Sequence, residues 1–277
     1  ALLMHGADGI GKGCLAAWLA AAVLCDTRGP ERLGPCGECA SCKLIEAQTH
    51  PDLIWVRPEE DKQQLSIDQV RAMCERLTKT SYRQGYKVAV LEPAHQMTIA
   101  AANSLLKTLE EPAPASLLIL LTSQPSALLP TVRSRCLKLS VVGPSLEQAR
   151  AWVEAELGQP VSPDVLEFAG RAPLKALEHA RGSFAKLHED MHQSLSALLS
   201  GKADVTQVAP SWADEQLPAR LMWLDLWLQS LARGALTGNA ELVTFPSRPV
   251  HLPRSAGTLN ISGIYQLVDR ARALKAH

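Results

Sequence analysis

The chain has 277 residues, of which 47% are hydrophobic, and its 28 Lys and Arg balance 28 Asp and Glu. At roughly 100 to 200 residues per domain, this length predicts one large domain or two to three smaller ones. Zero net charge argues against a protein that coats nucleic acid through its own field, and no apolar run reaches the roughly 20 residues that span a bilayer.

The first half of the chain predicts an α/β domain over residues 1–142. Short apolar runs alternate there with helical patterns, which is typical of a parallel sheet covered on both faces. The predicted strands are 1–5, 53–56, 87–91, 117–121 and 137–141. The predicted helices are 12–24, 67–79, 99–110 and 128–133. Because the chain opens inside an apolar run without Met, we expect a segment to precede it.

The second half of the chain predicts helices alone, since the strand signal stops at Gly143-Pro144. Short helices at 146–157, 163–169 and 174–181 predict a small three-helix domain over 143–182. Longer amphipathic helices at 188–199, 217–236 and 261–275 predict an all-α domain over 183–277.

A glycine-rich loop follows the first predicted strand and opens the first helix, as a phosphate-binding loop requires. Gly6, Gly9 and Gly11 let backbone N–H groups surround phosphate oxygens, and Lys12 supplies charge to the outer phosphates. Gly13 stands where a Ser or Thr hydroxyl would hold Mg²⁺. An ordinary strand-to-helix turn is the alternative, and whether the loop still binds nucleotide stays open.

The end of the third predicted strand carries a second departure from an ATPase. Glu92 stands where a Mg²⁺-binding carboxylate is expected, but Pro93 replaces the acid that would activate water. The losses at Gly13 and Pro93 together predict an ATPase fold without hydrolysis.

Four of the seven cysteines lie within residues 25–42. Thiolates at these spacings predict a closed structural zinc site, whereas disulfides or free thiols are the alternative. The proposed ligands are Cys25, Cys36, Cys39 and Cys42. His50 is interpreted as an ordinary loop residue, and the other three cysteines, Cys14, Cys74 and Cys136, are expected to be small buried hydrophobes.

Two further motifs bring these features together. The run 98–112, TIAAANSLLKTLEEP, is followed by Ser134-Arg135-Cys136. With the altered phosphate loop and the cysteine module, they make residues 1–139 resemble the bacterial clamp-loader subunits of DNA polymerase III, which belong to the AAA+ superfamily. The resemblance implies a AAA+ P-loop core with a zinc module, then a three-helix lid (143–182) and an α-helical collar for oligomerisation (183–277).

Within that family the gamma/tau motors keep the loop Ser or Thr and the acidic pair. Gly13 and Pro93 therefore place this chain in the branch that has lost hydrolysis. Leu174 also stands where the motors carry a nucleotide-sensing Arg.

The resemblance implies that Arg135 reaches the ATP bound to a neighbouring subunit, and that Thr122 and Ser123 occupy the place of a polar sensor. Its implied partners are the gamma/tau motors and the delta subunit and, through the assembly, the sliding clamp and primed DNA, in the bacterial cytoplasm without membrane contact. Three alternatives remain: Arg135 as a surface ion-pair residue, an active motor ATPase, and a zinc-dependent DNA-binding adaptor.

Overall fold

The computed structural model describes residues 1–29, 33–60, 62–83, 85–237, 243–248, 250 and 261–275. The chain divides into two compact units, Ala1–Gly143 and Pro144–His277. The division falls one residue from the predicted end of the α/β domain, whereas the separation of lid from collar stays a prediction. Parts of the predicted zinc module (30–32) and collar (238–242, 249, 251–260, 276–277) lie outside the described residues.

A five-stranded sheet of parallel strands forms the centre of the first unit, in the order β2-β3-β4-β1-β5. The strands are β1 (Leu2–His5), β2 (Leu53–Val56), β3 (Lys87–Leu91), β4 (Ser116–Thr122) and β5 (Leu137–Ser140). All five predicted strands are therefore confirmed. Because every strand runs in the same direction, their carboxyl ends meet at one edge of the sheet, where P-loop proteins bind ligands.

The helices of the first unit cover both faces of the sheet. They are α1 (Lys12–Leu24), α2 (Ala40–Glu46), α3 (Ile67–Thr78), α4 (Ile99–Glu110) and α5 (Pro130–Arg133). Short 3₁₀ turns occur at Ala94–Gln96 and Pro125–Ala127. The sequence patterns did not predict α2, which begins where the Cys39 sulfur accepts a hydrogen bond from the backbone N–H of Cys42.

The interior strand β3 separates two hydrophobic cores. All five of its residues are buried, and successive side chains point to opposite faces because a strand has a period of two. Val88 and Val90 belong to one core with residues of α1. Ala89 and Leu91 belong to the other core with residues of α3 and α4. This arrangement fixes the positions of the strand ends.

The second unit contains only helices among its described residues. They are α6 (Leu146–Leu157), α7 (Pro163–Phe168), α8 (Pro173–Arg181), α9 (Phe184–Leu199), α10 (Val205–Trp212), α11 (Leu217–Thr237) and α12 (Ile261–Lys275). The predicted helices are confirmed and α10 is additional. No helix in the described part of the chain combines the length and apolar character needed to span a bilayer.

A single hydrophobic core joins the predicted lid helices α6–α8 to the predicted collar helices. Buried polar contacts reinforce it. Asp164 of α7 is 3% exposed, and its carboxylate accepts hydrogen bonds from the N–H and hydroxyl of Ser247 at 2.7 and 2.5 Å. Within the predicted collar, Trp223 of α11 donates its indole N–H to Nδ1 of His188 in α9 at 3.1 Å. The two groups of helices thus form one packed structure.

Candidate nucleotide loop, cysteine cluster and arginine site

The glycine-rich loop joins β1 to α1 in a shape that requires glycine. Gly9 and Gly11 have φ angles of 77° and 96°, which residues with a Cβ rarely adopt. A Cβ added to Gly6 would overlap the carbonyl oxygen of Val141 beside β5. Three of the predicted loop residues therefore have a conformational or steric reason to be glycine.

The lysine of the loop is turned back onto the loop itself. Lys12 is 7% exposed, and its Nζ donates a hydrogen bond to the carbonyl oxygen of Ala7 at 2.7 Å. In a nucleotide-bound loop this ammonium group would contact the outer phosphates.

The carboxylate after β3 is held by an arginine. Arg57, which follows β2, donates to Oε2 of Glu92 from Nε and Nη2 at 3.2 and 2.8 Å. The indole N–H of Trp55 contacts the same oxygen at 3.1 Å, and the Arg57 guanidinium lies 5.0 Å from the Trp55 ring centre. The residue expected to bind Mg²⁺ therefore already has a cation as its partner.

Glu92 also occupies the space beside Gly13. A Cβ added at Gly13 would lie 3.0 Å from Oε1 of Glu92, so a Ser or Thr would crowd the carboxylate. Pro93 has neither a carboxylate nor a backbone N–H to offer to a water molecule. Arg57 was missed by sequence reasoning, because only the strand order brings it to Glu92.

The predicted sensor position is occupied by a buried hydroxyl. Thr122, at the end of β4, is 1% exposed. Its Oγ1 lies 3.0 Å from Nδ1 of His95 and accepts a hydrogen bond from the backbone N–H of Gln124 at 3.0 Å. Burial lowers the pKa of His95, which favours the neutral imidazole. The sequence patterns gave no signal for His95.

The structure brings the four proposed metal-binding cysteines together. Their sulfur atoms all lie within 4.8 Å of one another, and every cysteine of the chain is a free thiol. The Sγ–Sγ distances are 3.8 Å for Cys36 and Cys42 and 3.9 Å for Cys25 and Cys39. A zinc ion with four sulfurs at about 2.3 Å requires a separation of about 3.8 Å. The cluster could hold a metal ion, and its chemistry and spacing fit zinc.

Backbone N–H groups donate hydrogen bonds to sulfur atoms of the cluster and thereby favour the thiolate form, which binds cations. Cys36 accepts hydrogen bonds at Sγ from the N–H groups of Cys39 and Glu38 at 3.2 and 3.4 Å. The Thr27 hydroxyl and these N–H groups lower the pKa of Cys36 to about 5, whereas burial raises the pKa of Cys42 to about 12. A bound cation would favour the thiolate form of all four.

A partly buried polar network attaches this module to the rest of the unit. Asp26 accepts hydrogen bonds from the hydroxyl and N–H of Ser41 at 2.7 and 3.2 Å and pairs with Arg83 at 3.1 Å. The Ser41 hydroxyl lies 3.3 Å from Nε2 of His50, whose Nδ1 accepts the N–H of Asp52. His50 lies outside the sulfur cluster but is 5% exposed, so it is part of this network and not an ordinary loop residue.

The remaining cysteines differ in exposure. Cys136 is buried and Cys74 is half-buried, but Cys14 is exposed on α1. The expectation of a buried Cys14 was wrong, because its position faces away from the core that α1 shares with β3.

Arg135 lies at the surface between α5 and β5. Its Nε donates to Oε1 of Glu110 at 2.7 Å, and its Nη2 lies 2.5 Å from the same oxygen. Its Nη1 donates to the carbonyl oxygen of Thr131 at 2.9 Å. The Arg135 side chain is 35% exposed. The guanidinium is therefore accessible, and its position is defined by contacts within the chain.

These features define a class of protein. A parallel sheet with a phosphate loop between β1 and α1, an inserted four-cysteine module and a helical second unit form a AAA+ type of P-loop protein. The family model described as "DNA polymerase III, delta subunit" matches residues 1–144.

Curated relatives specify the family further. The chain is 36% identical to the DNA polymerase III subunit delta' of Pseudomonas aeruginosa, over 87% of this chain and 74% of that protein. It is 34% identical to the same subunit of Yersinia pestis, over 99% of this chain and 81% of that protein. The DNA polymerase III subunit tau of Escherichia coli is 28% identical over 76% of this chain and 31% of its own length. The chain belongs to the delta' subunits of DNA polymerase III, in the AAA+ clamp-loader family.

The predicted fold class and family are thereby confirmed. Delta' is a non-catalytic subunit of the polymerase holoenzyme. The roles assigned to individual residues stay predictions.

Proposed function

We propose that this chain is the stationary member of a pentameric, ring-opening clamp loader and supplies Arg135 to the ATP site of a neighbouring motor subunit. The observation that carries this proposal is the accessible guanidinium of Arg135, just before β5, in a chain whose own phosphate loop is altered. A fixed guanidinium near the γ-phosphate stabilises the charge that spreads over the phosphate oxygens in the transition state.

The chain itself hydrolyses no ATP. ATP hydrolysis needs a metal ion and a positioned water molecule. The residues expected to hold the metal ion and to activate the water are both altered here. Gly13 has no hydroxyl, Glu92 is paired with Arg57, and Pro93 provides no base. The retained glycines and Lys12 are what is left of a nucleotide site. Its affinity for nucleotide depends on whether the Lys12 ammonium group gives up its hydrogen bond to the carbonyl oxygen of Ala7.

The four cysteines hold a structural zinc ion. All four ligands come from the protein, so no position remains for a reacting water. The zinc supplies folding free energy to a segment in which the short helix α2 is the only helix among the described residues.

The partners of this subunit are the gamma/tau motors and the delta subunit in the bacterial cytoplasm. The similarity to tau supports this part of the proposal. Contact with the sliding clamp and with primed DNA is made through the assembly, which is consistent with the zero net charge of the chain.

The test is reconstitution of the loader from this chain, motor and delta subunits, with clamp and primed DNA. Arg135→Ala should lower ATP-driven clamp loading at least tenfold, because an arginine finger accelerates hydrolysis at its site by about 10³ to 10⁵, while gel filtration gives the same complex. Arg150→Ala is the matched control, because Arg150 forms a comparable surface ion pair with Glu154 at 2.9 Å. Equal loading by Arg135→Ala and wild type would reject the proposal.

Two assays address the rival functions. ATP turnover by the isolated chain that disappears in Lys12→Ala would indicate a motor ATPase. Salt-dependent DNA binding by the isolated chain that disappears on chelation would indicate a zinc-dependent adaptor.

A further inference from the structure

We propose that Glu110 is a positioning residue for Arg135, a role that rests on the proposed function of this arginine. Glu110 is the last residue of α4, and Arg135 follows α5. They are 25 positions apart in the sequence, yet Oε1 of Glu110 contacts both Nε and Nη2 of Arg135.

The contacts divide the guanidinium into a held side and an open edge. Arg has five N–H donors in a fixed plane. Nε directs its N–H to Oε1 of Glu110, Nη2 lies within ion-pair distance of the same oxygen, and Nη1 directs one N–H to the carbonyl oxygen of Thr131. One N–H on each Nη is left over. These two form the end of the fork, which matches two oxygens of a phosphate group.

The groups that hold Arg135 belong to packed elements. On α4, Ala101, Leu105 and Leu109 are buried in a core of the first unit. On the other side, Val132 of α5 is fully buried, and Cys136, next to Arg135, is buried as well. The Glu110 carboxylate and the Thr131 carbonyl are therefore held by the sheet and its helices, so the open edge of Arg135 has a defined direction before a neighbouring subunit binds.

The negative charge of Glu110 works against its orienting effect. A carboxylate beside the guanidinium weakens the attraction for phosphate, although the Glu110 side chain is 51% exposed and water screens its charge. The geometric effect can be separated from the charge, because Gln has an oxygen in the same place that can accept the same N–H groups without the charge.

The chain offers a matched control in the next residue. Glu111 is also exposed and lies at the same helix end, where its backbone N–H bonds to the Lys107 carbonyl oxygen. The Arg135 contacts in the described part of the chain use Glu110 and Thr131. Removing the Glu111 carboxylate therefore changes the local charge equally while leaving the Arg135 support in place.

The experiment measures kcat and KM for ATP hydrolysis by the reconstituted loader with clamp and primed DNA. We expect Glu110→Ala to lower kcat by about tenfold and to leave KM within about twofold, because a misplaced catalytic group affects the chemical step. Glu110→Gln should retain kcat within about twofold, and Glu111→Ala should match wild type. Gel filtration and thermal melting establish that each variant assembles and folds.

The double variant separates this inference from the proposed function. If Glu110 acts through Arg135, Glu110→Ala combined with Arg135→Ala should equal Arg135→Ala alone. An additive loss would overturn the positioning role, as would a normal kcat for Glu110→Ala beside a low kcat for Arg135→Ala. A higher kcat for Glu110→Ala would overturn it too, since Glu110 would then restrain the finger. An Arg135→Ala variant with normal kcat would instead refute the finger itself.

Discussion

Two arginine–glutamate pairs of the first unit have opposite arrangements. Arg57 and Glu92 meet beside the phosphate loop at 2.8 Å, with the arginine more exposed than the glutamate, at 63% against 28%. Arg135 and Glu110 meet beside α5, and there the glutamate is the more exposed partner. In the first pair the arginine covers a carboxylate expected to bind metal. In the second pair the glutamate supports the arginine that we propose to be functional.

The same type of ion pair can therefore cover a charged group at one site and orient a charged group at another. Exposed ion pairs contribute only about 0 to 1 kcal/mol to stability. Neither pair is needed to hold the fold together, so their importance lies in which charged group is covered and which remains accessible to another molecule.

The largest expected difference is between Arg135→Ala and Lys12→Ala in the reconstituted loader. Loss of the finger should slow hydrolysis at the neighbouring ATP site by about a thousandfold. Lys12→Ala should leave clamp loading within about twofold of wild type, because a loop without a metal site contributes no hydrolysis. Single-turnover hydrolysis and clamp-loading assays measure both effects. Comparable losses of clamp loading in the two variants would mean that the phosphate loop of this chain is functional. The proposed difference between the loop and the Arg135 site would then be wrong.

Metal removal should destabilise the part of the first unit that contains the cysteine cluster more than the part that contains Arg135. Cys42→Ser should lose about one zinc per chain and several kcal/mol of stability, since binding of a structural metal contributes directly to folding. Elemental analysis and thermal melting measure this. Hydrogen exchange should increase in α1 and α2 while α4 and α5 remain protected. The control is Cys14→Ser, at an exposed cysteine outside the cluster; equal destabilisation by both changes would contradict the metal site.

Restoring one lost side chain should not restore the nucleotide site. Gly13→Ser should destabilise the chain by about 1 kcal/mol, because its Cβ crowds Glu92, and should give no ATPase activity because Pro93 remains. Urea denaturation and a phosphate-release assay measure these effects. Adding Arg57→Ala should recover part of the stability by letting Glu92 move. Mg²⁺-dependent hydrolysis by Gly13→Ser alone would show that Arg57 does not block the site.

The smallest expected effects are on stability. Arg57→Ala and Glu110→Ala should each change the free energy of unfolding by about 0.5 kcal/mol, since both remove exposed ion pairs. Chemical denaturation at low and high salt measures this, with Lys62→Ala, which removes the exposed pair with Glu59, as the control. A loss of several kcal/mol in Glu110→Ala would assign Glu110 to the fold and remove the basis for a specific effect on Arg135.

The sequence was sufficient for the strands and the long helices, because apolar runs mark the strands and α1, and amphipathic periods mark helices such as α3, α4 and α9. Ser66 and Ser145 begin α3 and α6 with capping boxes, and the cysteine spacing alone indicated the metal cluster. Two short helices, α2 and α10, were missed. α10 has no buried residue and contains Pro210, so its pattern is weak.

The contacts that distinguish the two arginine sites were not predictable from local patterns. Arg57 and Glu92 follow strands that are neighbours only in the folded sheet, with Val56 paired to Leu91. Glu110 and Arg135 meet because α4 and α5 pack on the same face. Such pairs depend on the strand order and on helix packing, so the spacing of residues along the chain does not predict them.

The buried bonds of Asp164 have a mechanical consequence for the second unit. Moving α7 away from Ser247 would leave a buried carboxylate without its donors, which costs more than a surface rearrangement. The common core opposes the same motion, and so does the contact of Asp164 with Nε2 of His188 at 3.6 Å. We therefore expect the predicted lid helices α6–α8 to move together with the collar helices that share their core.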